Sequence, residues 1–572
     1  MIRVKDHQTE RLFDPWRHFG PKRRSLLEQS WAGAFRKFLF KEIPAHKIFK
    51  CFHKSFGRPT KELYTALGVT ILQQIHDLSD EKAIESLAFN EQWHYALDIT
   101  GESDDEKYLC EKTLRAYRKL LIQEELDTVI FEGMTDELIK IFHVDTSKQR
   151  LDSSHIFSNM RNLRRLEIFV KTIQKFLKKL KIVSKGLFEA LISVELQERY
   201  LSEKSNGCFS QVTPSASSQT LQQAGEDLLY FVELFSSNKD VKKFHSYRLL
   251  QRVLSEQCTV TGKGEDKKLS IKPAKEIPSD SLQNPSDPDA TYDGHKGQGF
   301  QVQTMETYQE TEKRDKTKPN LITYVDVEQA HEHDSNALQP ALDTTKARDC
   351  CPEEVQCDTL YGSDENVQQA KEKGIDVIAP VCGPPTKLKD FQFDESTYFV
   401  TGCPAGHKPI KVKRLKNRMT VRFSQKHCSE CQHREYCPVT PLKKGDFSLR
   451  YNEKHVRLAL RRANEETPEF RNKYRWRAGI EATESHLKSD CGAGRLRVRG
   501  LPQVRFAVTL KALGLNIFRS AKALQCASKS LFNLFFGYVT FQKTHKPKLY
   551  PVSHSFDLLS YIFCQRTIYL RR

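Results

Sequence analysis

A chain of 572 residues is too long for one hydrophobic core and predicts several domains. Lys and Arg number 91 against 73 Asp and Glu, a formal net charge of +18, which favours a polyanionic partner, nucleic acid before an anionic membrane surface. No apolar stretch reaches the roughly 20 residues a membrane helix needs; the longest, LFNLFFGYVTF from Leu531 to Phe541, reads as a packed segment. The opening MIRVKDHQTERLFDPW is charged throughout, so a secretory signal is not expected and a cytoplasmic setting is. In that setting the fifteen cysteines are expected as reduced thiols or metal ligands.

Residues 1–138 predict a helical domain for DNA binding or dimerisation. LYTALGVTILQQIHDL carries apolar positions at three and four spacing, Ser79 with Asp80 and Glu81 starts a further helix, and TLRAYRKLLIQEEL gives another amphipathic stretch. Residues 139–157, LIKIFHVDTSKQRLDSSHI, read as extended chain or two short strands. A helical insertion with cationic outer faces follows over 158–261, and the polar run from 262 to 286 reads as a flexible linker. Over 287–385, GFQVQTMETY, NLITYVDVEQA, VQCDTLYGS and IDVIAPV predict strands, while ALQPALDTTKA and SDENVQQAKEKG predict helices, the second closed by Gly374. Residues 386–450 are cysteine-rich, 451–525 return to helix, and 526–572 form a C-terminal tail. The fold class is therefore multidomain α/β.

In the stretch YRWRAGIEATESHLK, Tyr474, Arg477, Glu481 and Lys488 stand at the spacing Y-x2-R-x3-E-x6-K. On an unbroken helix the last three fall about 60°, 20° and 40° to one side of Tyr474, so all four share one stripe. A carboxylate between two cations and a phenol suits a metal beside a phosphate backbone; the plainer reading is a solvated charged face. Two-metal phosphoryl chemistry needs acids converging from separate elements, and Asp152 in QRLDSSHI, Asp358 in CDTLYG and Glu481 are the candidates. Asp145 lies seven residues before Asp152 and faces the other way on a continuous strand; Asp364 and Glu365 suit a helix start; Glu484 lies on a neighbouring face.

These blocks resemble the DDE transposases of bacterial insertion sequences, in particular the group marked by the Tyr-x2-Arg-x3-Glu-x6-Lys signature, which matches at all four positions. The likeness extends through GRPTKELYTALGVTILQQIHDL, QRLDSSHIFSNM, DPDATYDGHKGQGFQV and GAGRLRVRGL. It implies a ribonuclease-H-like catalytic core in which Asp152, Asp358 and Glu481 hold magnesium or manganese. Tyr474, Arg477 and Lys488 would contact DNA ends. It further implies cleavage at terminal inverted repeats, strand transfer into target DNA, a homodimer on that DNA, and a nucleoid-associated protein with no membrane attachment. A catalytically inactive end-binding protein and a nuclease of the same fold that never joins strands are the alternative functions.

Cys403, Cys428, Cys431 and Cys437 supply four soft ligands between the second and third acids, and the CxxC pair fits one edge of a zinc tetrahedron. A zinc-ribbon-like insertion is expected, with His407, His427 and His433 as substitute ligands. The intervening KPIKVKRLKNRMTVRF is strongly basic with β-branched residues.

Overall fold

The computed structural model describes residues 2–7, 9, 11–53, 56–202, 212–262, 266–310, 314–384, 387–388, 390–416 and 418–544. The expected tail falls partly outside them, at 545–572. At its centre lies a mixed sheet built from β1 (Lys148–Ile156), β4 (Thr291–Asp293), β5 (Gly297–Thr307), β6 (Ile322–Gln329), β7 (Glu354–Cys357) and β8 (Asp376–Ile378). Strand β5 runs antiparallel to β1, β4 and β6, whereas β1, β7 and β8 are parallel neighbours. Both faces are covered, as the nearly continuous burial of β5 and β7 requires. Leu151, Met305, Val355 and Cys357 pack against the helices Leu338–Ala347 and Asp364–Glu372; Ile156, Phe300, Val302 and Val327 pack against Val504, Ala507 and Val508 of the helix Leu501–Thr544.

The N-terminal helices share a core with this sheet's edge. Leu67, Leu72, Phe131 and Leu138 lie in one cluster with Leu321, Ile322, Leu510 and Leu513. The helix Leu126–Phe142 runs past the point where extended chain was expected, because Leu138 and Phe142 continue its buried face, and His143 closes it in the left-handed conformation with φ 46°. The strand then starts at Lys148.

Between β1 and β5 the helices Arg165–Val183, Pro214–Leu234 and His245–Gln257 enclose Phe169, Phe176, Phe231 and Tyr247. The described part of the expected linker is ordered. β2 (Cys258–Thr261) pairs with β3 (Lys268–Ile271), Leu282 is fully buried in the insertion core, and Asn284 donates to the Arg161 carbonyl at 2.8 Å. Composition underestimated this segment because a ladder and one apolar anchor, rather than a high apolar content, hold it.

The cysteine-rich region is a small β subdomain. A short pair, β9 (Gln392–Phe393) and β10 (Val400–Gly402), accompanies an antiparallel sheet of order β11–β12–β14–β13, comprising Lys411–Leu415, Arg418–Phe423, Phe447–Tyr451 and Thr440–Pro441. Met419, Val421, Phe423, Leu449 and Tyr451 face its core together with Val456. The helix Glu453–Glu465, capped by Asn452, leads out of the subdomain and ties it to the central sheet. Arg457 makes a two-bond pair with Asp364 at 3.0 and 2.6 Å, and Arg461 donates to the carbonyls of Gly362 and Ala379. The C-terminal helix continues through residue 526, where the tail was expected to begin, and carries the 531–541 segment, whose side chains lie outside the described set. Among the described residues no helix is long and apolar enough to cross a membrane.

Candidate active site

Asp152 and Asp358 are brought together by strand register. Leu151 of β1 stands opposite Cys357 of β7 in parallel pairing, so Asp152, midway along β1 where β7 stops, and Asp358, the residue after β7, lie on neighbouring strands. Both are half-buried. Asp358 also receives the Thr359 amide and so starts the turn Thr359–Tyr361. Burial pushes the Asp152 carboxyl above its ordinary range, and the Asp358 charge adds to this, while Arg477 opposes it. Asp145 lies outside β1 and accepts the Ser147 amide, and Asp364 stands in the first turn of its helix, paired with Arg457.

The four signature residues do not occupy one continuous α-helix. Tyr474 ends the helix Pro468–Tyr474, Arg477 lies in a 3-10 turn over Arg475–Gly479, and Glu481 and Lys488 belong to the helix Ile480–Ser489. Arg150 explains the break. Its guanidinium donates to the Trp476 carbonyl at 2.7 Å and packs so closely on Gly479 that a Cβ there would meet Arg150 Nη1 at 2.0 Å. Any side chain at 479 would displace the arginine. The preceding helix is held over β7 by Gln356, which donates to the Lys473 carbonyl at 2.8 Å, and by the Lys473–Glu354 pair at 2.8 Å.

The result is a site with unequal members. Arg477 Nη1 donates to Asp152 Oδ2 at 2.6 Å, and its Nη2 stands 3.9 Å from Glu481 Oε1. Tyr474 stacks on Phe470 and lies close enough to both aspartates for their charge to raise its phenol, after burial, above the usual range. Glu481 is 69 % exposed. Glu484, one turn further on, is the carboxylate turned inward: its Oε1 is buried without a hydrogen-bond partner, and burial together with the Asp152 charge pushes it up to about 8, against the opposing Lys488 ammonium. Lys488 is half-buried beside it. The signature spacing selects Glu481, but helical position alone does not say which glutamate turns inward, since three residues on a helix separate them by only about 60°.

A charged cluster below the site also escaped sequence reasoning. Glu306 on β5 is completely buried; Oε1 accepts from Arg150 Nε and Nη2 at 2.8 and 2.6 Å, and Oε2 accepts from Thr483 at 2.6 Å and Arg519 at 2.8 Å. Arg519 Nη2 also donates to Thr483 at 2.5 Å. Two arginines hold the glutamate charged, below its ordinary range despite burial. One carboxylate thereby joins β1, β5, the helix bearing Glu481 and the C-terminal helix. Its only sequence signal was an acid inside the otherwise uncharged strand GFQVQTMETY.

In the β subdomain, Cys403, Cys428, Cys431 and Cys437 line a single cavity of about 20 Å³, which His407, His427 and His433 also line. His407 and His427 stack with centroids 4.1 Å apart. Burial and the three neighbouring sulfurs push the Cys428 thiol up to about 11. All cysteines among the described residues are free. As placed, no group of three or more His, Cys, Asp or Glu among the described residues stands in metal-holding geometry, at the thiols or at the aspartates. By donor chemistry both sets suit a cation: hard carboxylates on neighbouring strands, close enough for the Asp358 charge to act on Asp152, and four soft sulfurs around one small cavity.

A family model described as a transposase DDE domain matches residues 402–521. The match supports a DDE transposase, with DNA as substrate, polynucleotidyl-transfer or nuclease chemistry and a general requirement for divalent metal. The span holds the β subdomain from residue 402 and all four signature residues; Asp152 and Asp358 lie outside it, so their convergence on Arg477 is an observation independent of the match. No curated protein and no solved structure gives a significant match to the chain.

Proposed function

We propose that the chain is a bacterial insertion-sequence transposase of the Tyr-Arg-Glu-Lys signature group, which binds the terminal inverted repeats of its element and catalyses metal-dependent cleavage and strand transfer from a ribonuclease-H-like core. The observation that carries this reading is the placement of Asp152, midway along β1, and Asp358, just past the end of the parallel neighbour β7, on adjacent strands, with signature Arg477 bonded to the first.

In this reading Asp152, Asp358 and Glu481 hold magnesium or manganese. Two such ions, when bound, supply activation of the attacking oxygen and stabilisation of the leaving one. The chain's own contribution is placement. Arg150 and Glu306 fix the turn and helix that carry Arg477 and Glu481, while Tyr474, Arg477 and Lys488 offer a phenol and two cations to the DNA backbone. Water first, then a DNA 3′ hydroxyl, attacks the phosphodiester in line. A structural zinc held by Cys403, Cys428, Cys431 and Cys437 belongs to the same proposal, supported by their shared cavity, as does a homodimer that bridges two DNA ends.

The test is cleavage of a labelled inverted-repeat duplex by the full chain in magnesium, followed by joining to a supercoiled target. Asp152→Asn, Asp358→Asn and Glu481→Gln should each abolish cleavage while duplex binding persists. Full activity in all three variants refutes the assignment.

A further inference from the structure

The helix Ile480–Ser489 is fixed along its whole length, and this decides which of its glutamates faces inward. Ahead of it Arg150 takes the Trp476 carbonyl at 2.7 Å and packs on Gly479, and in its middle Thr483 donates to buried Glu306 at 2.6 Å. Just beyond it, buried Lys511 donates to the Cys491 carbonyl at 2.6 Å and to Asp77 at 2.8 Å. The chain then joins the end of β1: the Phe157 amide donates to the Gly494 carbonyl at 3.1 Å, and the Leu496 amide to the Phe157 carbonyl at 2.8 Å. Bringing Glu481 to the position of Glu484 needs a turn of about 60° around the helix axis. Such a turn carries Thr483 away from Glu306, whose buried charge depends on its donors.

The strand beneath presents the groups that meet Glu484. Side chains alternate along β1, so Arg150, Asp152 and Ser154 share the face that this helix covers. Ser154 neighbours Glu484 and is only 3 % exposed, and its hydroxyl, like Glu484 Oε1, is buried with no hydrogen-bond partner. The Asp152 charge acts on Glu484, and the Asp358 charge acts on Asp152, so three carboxylates lie in one neighbourhood. Among the described residues the only ion pair that any of the three makes is that of Asp152 with Arg477. Converging acids and orphaned oxygens are the donor set of a hard divalent cation, which takes oxygen ligands and cancels the repulsion between like charges. Glu481, 69 % exposed and 3.9 Å from Arg477, stands outside this set.

We propose that in the DNA-free protein Glu484, beside Asp152, is a ligand of the bound magnesium or manganese ion, and that signature Glu481 is not a ligand of this ion before DNA binds. The inference rests on the reading of the chain as a metal-dependent DNA-processing enzyme and adds to its metal centre an acid outside the signature. The part of Glu481 in cleavage stays as that reading assigns it.

The experiment titrates the metal-free, DNA-free full chain with manganese and follows the free ion by electron paramagnetic resonance. Glu484→Gln should weaken binding about tenfold or more, the effect of one charged ligand lost, whereas Glu481→Gln should change it by less than about threefold. Equal binding by Glu484→Gln and the unaltered chain overturns the proposal, and so does an equal loss in Glu481→Gln. Thermal melts without metal at acid pH check the fold: Glu484→Gln should melt with the unaltered chain, and a lower melt makes its lost affinity a packing defect and refutes the ligand assignment. Asp152→Asn and Asp358→Asn separate the two levels of inference. If both bind manganese as the unaltered chain does, no ion sits at the aspartates and the enzyme reading fails with the proposal; if they weaken binding and Glu484→Gln does not, the proposal alone fails.

Discussion

The aspartate end of the central sheet and the thiol cavity of the β subdomain are both candidate metal centres, yet they are held in opposite ways. Around Asp152 the protein supplies its own order. Strand register sets the two aspartates, a buried glutamate with two arginines fixes the overlying helix, and Arg477 neutralises Asp152. Around Cys428 there is little of this. The sulfurs surround a small space, the charged group beside them is Arg434, and the apolar core beneath them is that of a short four-stranded sheet. In the proposed function the first site offers acids already placed by the fold, whereas a zinc at the second would itself help to hold the subdomain together.

The largest expected effect separates the two directly. With the proposed zinc at the four thiols, a chelator or Cys428→Ser should unfold the β subdomain locally, because in small metal-built domains metal binding supplies most of the folding free energy. Hydrogen exchange over 403–451 should rise by orders of magnitude while β1 and β5 stay protected. Equal protection with and without chelator would remove the contrast. Next in size is Glu306→Ala, which strands Arg150 and Arg519 in a buried environment and should cost about 3–5 kcal/mol in urea unfolding. Arg477→Ala is smaller. It frees Asp152 Oδ2, so manganese binding without DNA, followed by electron paramagnetic resonance, should tighten about tenfold, the equivalent of one lost charge-assisted hydrogen bond. Weaker binding would show that the arginine organises the site rather than occupying it.

How much of this the sequence disclosed depends on whether a feature is one-dimensional. The order of strands and helices from 287 to 385 was readable, because apolar period and turn residues are local; Gly374, at φ 81°, closes its helix as its position suggested. Asp358 was recognisable as an acid at a strand end; Asp152 was expected at one too, but β1 runs on to Ile156 because residues 152–156 keep pairing with β5 after β7 has stopped. The single stripe failed for a definite reason. A 100° step assumes an unbroken helix, and Arg150, 326 residues before Trp476, breaks it by taking that residue's carbonyl. Glu306 was hidden because its partners come from three distant segments. The choice of which glutamate faces inward was likewise not readable, since it depends on the angle at which the helix Ile480–Ser489 meets β1.

That choice supplies a prediction of a different kind, a slope of stability against pH. Glu484 carries its proton up to about pH 8 in the folded protein because burial and the Asp152 charge disfavour the ion, whereas in the unfolded chain it titrates near the ordinary glutamate value. Between these two values the folded state holds the extra proton, so its contribution is fully present at acid pH and is lost as pH rises through about 8. Metal-free stability should therefore fall across this window by at most about 1.4 kcal/mol per pH unit from this group. Glu484→Gln, which keeps the shape and cannot ionise, should flatten that part of the profile, while exposed Glu481→Gln should leave it unchanged. Thermal melts from pH 5 to 9 compare the three proteins, and a Glu481→Gln profile that flattened instead would show that the inward-facing carboxylate in solution is the signature residue itself.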